Sequence, residues 1–203
     1  MLEVRGPTLT LRYPTADDVP ALLELGSDEL TTRWFSWGPY TDASQPLGYI
    51  EGLAAKREER TLLDFLVVHR EHGPVGITGL SEVSGRDRRG TVGTWFGRQW
   101  WGSGVNRESK ALIAALAFGH LGFNRLTAWA NTRNGRSQTA LERVGFRREG
   151  VLRGWHVHES GVHDVVVFAL LRAEWEVSPM RAVPAEVSGP APEGWRLDAA
   201  GAA

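Results

Sequence analysis

This chain has no cysteine. That absence removes disulfides, thiolate nucleophiles and zinc–thiolate sites together. It also has no apolar run near the ~20 residues that a membrane span needs. No signal-peptide pattern opens it, so a soluble cytoplasmic protein is the expectation. Net charge is nearly absent: 23 Lys and Arg stand against 24 Asp and Glu, leaving -1. No global basic field would recruit nucleic acid. The short run Arg86-Asp87-Arg88-Arg89 reads as a solvated loop. There are no internal repeats.

A hydrophobic content of 42% over 203 residues suits one domain with a real core. Nine tryptophans could line a pocket, a core or a subunit interface, and a homodimer is a reasonable expectation. From Val177 the composition shifts to Pro, Ala, Gly and Ser. Such a stretch buries too little to offset its ordering entropy. The reading is therefore a domain over residues 1–176 and a C-terminal tail over 177–203, with docking of Trp195 as the minority alternative.

The rest of the chain is organised around Gly90 to Leu121. An apolar strand, Thr91–Phe96, enters the turn Gln99-Trp100-Trp101-Gly102-Ser103-Gly104, which opens a long helix. Glycines let the backbone tighten and a ligand approach it. The first helical turn leaves N–H groups without partners and carries positive potential. A strand, glycine turn and helix in this order make an anion site, most naturally for a phosphate. No Lys follows Gly104, which excludes the kinase-type P-loop. Arg107 stands where the dinucleotide fingerprint needs glycine. A plain tight turn into a core helix is the alternative to a phosphate site.

Leu9–Arg12 alternates as a short strand, and Thr15-Ala-Asp-Asp18 starts a helix. Trp34-Phe35-Ser36-Trp37-Gly38-Pro39-Tyr40 is too aromatic and too broken for a helix. It reads as a loop over something apolar: a core plug, or a substrate wall built from Trp34, Trp37 and Tyr40. A helix starts near Ser44, and Leu62–His69 and Val75–Val83 form a hairpin. After the central helix come a strand at Arg125–Ala130 and a short helix, Gln138–Val144, with Ser137 as its expected cap. Two more strands follow, joined by a turn at Glu159-Ser160-Gly161. This order suits an α+β fold better than a doubly wound one.

Several stretches together resemble the GNAT N-acetyltransferases, and within them the RimJ/RimL branch of ribosomal-protein N-terminal acetyltransferases. They are Gln99-x-x-Gly102-x-Gly104, Trp101 through Lys110, Asn131-x-x-Asn134-x-x-Ser137, Leu141-Glu-Arg-Val-Gly-Phe146-x-x-Glu-Gly150, His163-Asp164-Val165 and Glu174-Trp175. The resemblance covers about Leu9 to Trp175. It implies a GNAT-like central mixed, mostly antiparallel sheet, splayed between its fourth and fifth strands, with helices on both faces. It implies acetyl-CoA as acetyl donor. The diphosphate would sit on Gln99, Trp101, Gly102, Ser103, Gly104, Val105 and Asn106. The pantetheine arm would pair with the main chain of Trp95 and Phe96, and Asn131 and Asn134 would hydrogen-bond to it.

The implied activity is direct attack of a primary amine, a protein N-terminal α-amine or a small molecule, on the thioester. Such a reaction needs no protein nucleophile. It needs a base for the amine, a donor for the departing thiol and a donor for the oxyanion. Where many family members carry a thiol-donating tyrosine, this chain has Leu141; the resemblance assigns the role to Ser137. A glutamate assigned as base in the branch falls at His156. Glu108 and Asp164 are rival acid–base candidates, and Asp164 could also bind substrate. His156 and His158 share a strand face, but without a third ligand no metal site is expected. A non-catalytic acyl-CoA-binding or regulatory module is the alternative function.

Overall fold

Alternating apolar residues build the centre of the molecule. A computed structural model describes residues 1–158 and 161–197. Its strands are β1 (Glu3–Arg5), β2 (Leu9–Arg12), β3 (Leu62–His69), β4 (Gly73–Ser84), β5 (Arg89–Phe96), β6 (Arg125–Asn131), β7 (Arg147–His158), β8 (Gly161–Leu171) and β9 (Glu186–Ser188). They form one sheet in the order β7-β8-β6-β5-β4-β3-β2-β1-β9. Among the described residues every neighbouring pair is antiparallel except β5 and β6.

The helices are α1 (Val19–Gly26), α2 (Glu29–Thr32), α3 (Ser44–Glu58), α4 (Val105–Ala114), α5 (Gly135–Arg143) and α6 (Arg172–Glu176). On one face Leu112, Ile113 and Leu116 pack with Phe65, Leu80, Val92, Leu126 and Phe168, joined by Leu141 of α5. On the other, Leu22 of α1 and Tyr49 and Ile50 of α3 pack on Leu66, Ile77 and Trp95. The period of two along a strand explains the division. On β5, Val92 and Phe96 turn to α4 and Trp95 turns to α3.

The parallel pair is short. Arg89, Gly90 and Thr91 face Arg125, Leu126 and Thr127, and there the pairing ends. Beyond it β5 runs on to Phe96 and β6 to Asn131 without meeting. The sheet therefore forks between β5 and β6. By count these are the fifth and sixth strands, because Glu3–Arg5 adds a strand that the sequence pattern omits.

Two expectations need comment. The turn expected at Glu159-Ser160-Gly161 has its first two residues outside the described ones. The tail reading is overturned: residues 177–197 pack on the domain. Met180, Trp195 and Leu197 are buried. β9 pairs with β1. The Trp195 indole N–H donates to the Arg57 carbonyl at 2.9 Å, and the Leu197 N–H to the Leu121 carbonyl at 2.7 Å. A few large anchors supply the burial that the average composition lacks.

Candidate active site

The glycine turn after β5 has the geometry of an anion cradle. Gly102 and Gly104 take φ 78° and 95°, the left-handed region. A Cβ on either would meet nothing within 4 Å, so packing does not select glycine there. The Trp101 and Ser103 N–H groups are used locally, on the Arg98 and Trp100 carbonyls, and the Val105 N–H reaches Ser103 Oγ at 3.4 Å. The N–H groups of Gly102, Gly104 and Asn106 have no partner among the described residues. They open at the N-terminus of α4, where the helix dipole adds positive potential. A diphosphate fits such a cradle.

Beside the cradle lies the fork. The Gly97 N–H reaches the Val75 carbonyl of β4 at 3.1 Å. The alternation of an antiparallel ladder then turns the main-chain groups of Trp95 toward β4 and those of Thr94 and Phe96 toward the fork. The Trp101 indole N–H donates to the Phe96 carbonyl at 3.0 Å. The Arg136 guanidinium, from α5, lies 3.1 Å from the Trp101 ring centroid and bridges the two helix starts. Asn134 caps α5: its side-chain oxygen accepts the Ser137 N–H at 3.2 Å. Ser137 Oγ makes no hydrogen bond among the described residues.

The α3 face of the fork is aromatic. Trp37 stacks between Phe35 and Tyr40, with centroids at 5.2 and 5.0 Å, and meets Trp95 edge-on at 5.2 Å. Trp34 lies 5.9 Å from the Arg133 guanidinium, which approaches His163 at 3.5 Å. The segment Trp34–Tyr40 thus spans from β5 to the loop after β6. His158 stands between His163 and His156, at 4.9 and 5.5 Å, and Trp129 of β6 borders His156 at 5.7 Å. Among the described residues these histidines belong to no metal-holding cluster.

Comparison with known proteins decides the family. Residues 8–147 match the family described as acetyltransferase (GNAT) domain, well over half the chain. The chain belongs to the GNAT acetyltransferases. It is 29% identical over 168 residues to the uncharacterized N-acetyltransferase p20 of Bacillus licheniformis, covering 82% of this chain and 94% of that one. It is 30% identical over 101 residues to a Bacillus subtilis protein carrying the name ribosomal N-acetyltransferase YdaF, covering 50% and 55%. That likeness agrees with the RimJ/RimL-like branch. The structure of the microcin C7 self-immunity acetyltransferase MccE, in complex with acetyl-CoA and AMP, superposes with a TM-score of 0.74 at 18% identity, covering 82% and 93%. This GNAT domain is an acetyl-CoA-dependent acetyltransferase. No helix among the described residues is long and apolar enough to cross a membrane.

Within the GNAT frame the expected residues divide. Gly102, Gly104 and Asn106 present free amides, while Trp101, Ser103 and Val105 shape the turn; Gln99 is exposed on the turn before it. Phe96 faces the fork as expected, but the main chain of Trp95 does not, because the β4 ladder uses it. The Asn131 side-chain oxygen closes its own turn on the Arg133 N–H at 2.9 Å. The side-chain N–H groups of Asn131 and Asn134 make no hydrogen bond among the described residues.

Glu108 is not an acid–base group at the fork. Its carboxylate accepts the N–H of Thr8 and of Leu9 at 2.7 and 2.8 Å and the Thr8 hydroxyl at 2.5 Å, pinning the β1–β2 turn to α4. Asp164 is likewise engaged, accepting the Gly154 N–H at 2.7 Å where β7 bulges. Ser137 is not the cap of its helix, since Asn134 has that position. His156 borders the aromatic face from β7, and burial lowers its pKa, which keeps the ring neutral near pH 7.

Sequence reasoning missed two groups. Lys110 is buried, donates to Thr94 Oγ1, and has its pKa lowered to about 7 by desolvation. Asp64, half-buried, accepts the Tyr49 hydroxyl at 2.7 Å; burial raises its pKa to about 6 against that hydrogen bond and the charge of Lys56. Lys110 ends the stretch Trp101–Lys110, but nothing in that motif marks it as buried, and no local motif marks Asp64. The register of β3, β4 and β5 is the only signal for Asp64.

Proposed function

We propose that this acetyltransferase moves the acetyl group to a primary amine by direct attack. The observation that carries the reading is the fork, with free amides at one end and an aromatic opening on the α3 face. Bound acetyl-CoA supplies a thioester activated for acyl transfer. The amides of Gly102, Gly104 and Asn106 hold its diphosphate, and the Phe96 N–H is free to meet the arm or the thioester oxygen. Ser137 Oγ, unused by its helix, donates to the departing sulfur. Trp34, Trp37 and Tyr40 wall the acceptor.

A protein N-terminal α-amine and a small-molecule amine are the two acceptor types that fit. The RimJ/RimL-like motifs and the ribosomal name of YdaF favour the first. The test is thiol release from acetyl-CoA with short peptides and small amines, beside mass spectrometry of the product. Release together with an acetylated amine supports the reading. Coenzyme A binding without release to any amine overturns it.

A further inference from the structure

Asp64, Gly79 and Gly93 sit side by side across β3, β4 and β5. Two strand spacings, about 10 Å, separate the outer two. All three are on the α3 face, with Leu66, Ile77 and Trp95. A Cβ on Gly79 would sit inside the Asp64 carboxylate, so the carboxylate lies over Gly79 and leans toward β5. Gly93 is exposed, and a Cβ there would meet nothing within 4 Å. The two glycines thus clear a path from Asp64 to the lip of the fork. Tyr49 and the aromatic segment border it, with Trp37 against Trp95.

We infer that Asp64, rather than His156, is the base that receives the acceptor amine. The inference rests on the amine-acceptor reading. His156 is two strands beyond the fork, with the Trp129 ring beside it on β6, between it and the opening. Between the Asp64 carboxylate and the fork, the register positions on β4 and β5 are the glycines Gly79 and Gly93.

The step balances as follows. The incoming ammonium gives one proton to Asp64 and becomes a neutral amine. Its lone pair forms the N–C bond at the thioester carbonyl carbon. The C–S bond breaks, and the sulfur leaves with the electron pair. The nitrogen loses a second proton, the sulfur gains one through Ser137 Oγ, and Asp64 returns its own proton to water.

The groups facing Asp64 fix its pH behaviour. From α3 come the Tyr49 hydroxyl and the charge of Lys56; burial raises the Tyr49 pKa, so Tyr49 stays a donor. Tyr40 of the aromatic segment is close enough to raise the Tyr49 pKa further. α1 brings apolar Leu22, and β4 and β5 bring Gly79, Ile77, Gly93 and Trp95, which carry no charge.

The experiment compares wild type, Asp64→Asn, Tyr49→Phe and His156→Gln. Acceptors are seryl-alanine amide, alanyl-alanine amide, spermidine and phenylethylamine. Readouts are kcat, KM, the pH profile and coenzyme A affinity. Asp64→Asn is expected to lower kcat by about 100-fold or more with coenzyme A affinity unchanged. His156→Gln should stay within a few-fold. Tyr49→Phe removes a donor that lowers the Asp64 pKa, so the acid limb, expected near pH 6, should move to higher pH. Should Asp64→Asn fail to fold, that limb decides. Thiol release that survives Asp64→Asn, or an acid limb unmoved in Tyr49→Phe, overturns this inference alone. No release by wild type with any of the four amines overturns the acceptor reading and this inference with it.

Discussion

Lys110 and Asp64 lie on opposite faces of one sheet, and burial pushes both toward their neutral forms. Lys110, on the α4 side, falls to about 7 and Asp64, on the α3 side, rises to about 6. Their surroundings differ. Lys110 is 4% exposed and donates to Thr94 Oγ1. Asp64 is half-buried, holds a tyrosine donor, and lies over a glycine beside an exposed one. A displaced pKa alone does not make a site; access for a ligand does. The Lys110 side has the character of a structural cost, and the Asp64 side that of a working surface.

The largest expected effect separates the two by their slopes. Lys110 has a folded pKa below its unfolded value, so the folded state binds fewer protons between about 7 and 10.5. Stability should rise as pH climbs through that window, by several kcal/mol at most. Asp64 has a folded pKa above its unfolded value, so the folded state binds more protons between about 4 and 6. Its contribution is full below that window and is lost as pH rises through it, by ~3 kcal/mol at most. Urea unfolding across pH should lose the alkaline slope in Lys110→Met and the acid one in Asp64→Asn. Both variants should be more stable than wild type at pH 7, and only Asp64→Asn should lose turnover. Equal losses would erase the contrast.

A second comparison uses glycines. Gly104 is glycine because of its left-handed φ, Gly93 because of what must pass over it. Gly104→Ala should cost about 1–2 kcal/mol of backbone strain and weaken coenzyme A binding roughly tenfold. Gly93→Val adds a strand-favouring side chain in open space, so the melting temperature should hold or rise. Its acceptor KM should increase roughly tenfold, about 1.4 kcal/mol, with coenzyme A affinity unchanged. If both variants damage coenzyme A binding alike, the path over Gly93 belongs to the donor.

The difference between these glycines also explains what was legible in the sequence. The cradle is local: Gly102 and Gly104 sit in one turn, and their spacing speaks for itself. Strands such as the alternating Leu9–Arg12 and the apolar Leu62–His69 were equally plain. The Asp64 site is assembled from three strands and α3, and nothing near Asp64 in sequence marks Gly93 as its neighbour. Glu108 misled for the same reason, since its partners Thr8 and Leu9 lie about a hundred positions away. The segment after Val177 misled differently. Average composition hid Trp195, a single residue fully buried against α3 and the domain core. Truncating it to Ala belongs with core deletions of ~3–5 kcal/mol, not with trimming a tail.

The smallest effect tests the α5 start, where a cap and a catalytic hydroxyl were confounded in sequence. Asn134 accepts the Ser137 N–H through its side chain, so Asn134→Ala should cost about 1 kcal/mol. Ser137 has no capping bond to lose, and alanine is the better helix former, so Ser137→Ala should change stability by less than about 0.5 kcal/mol. Its turnover should fall instead, because the departing sulfur loses its proton donor. The drop should shrink with an acetyl thioester of a more acidic thiol, which leaves without help. A stability loss in Ser137→Ala with turnover intact would hand the cap back to the serine and leave the sulfur to be protonated by water.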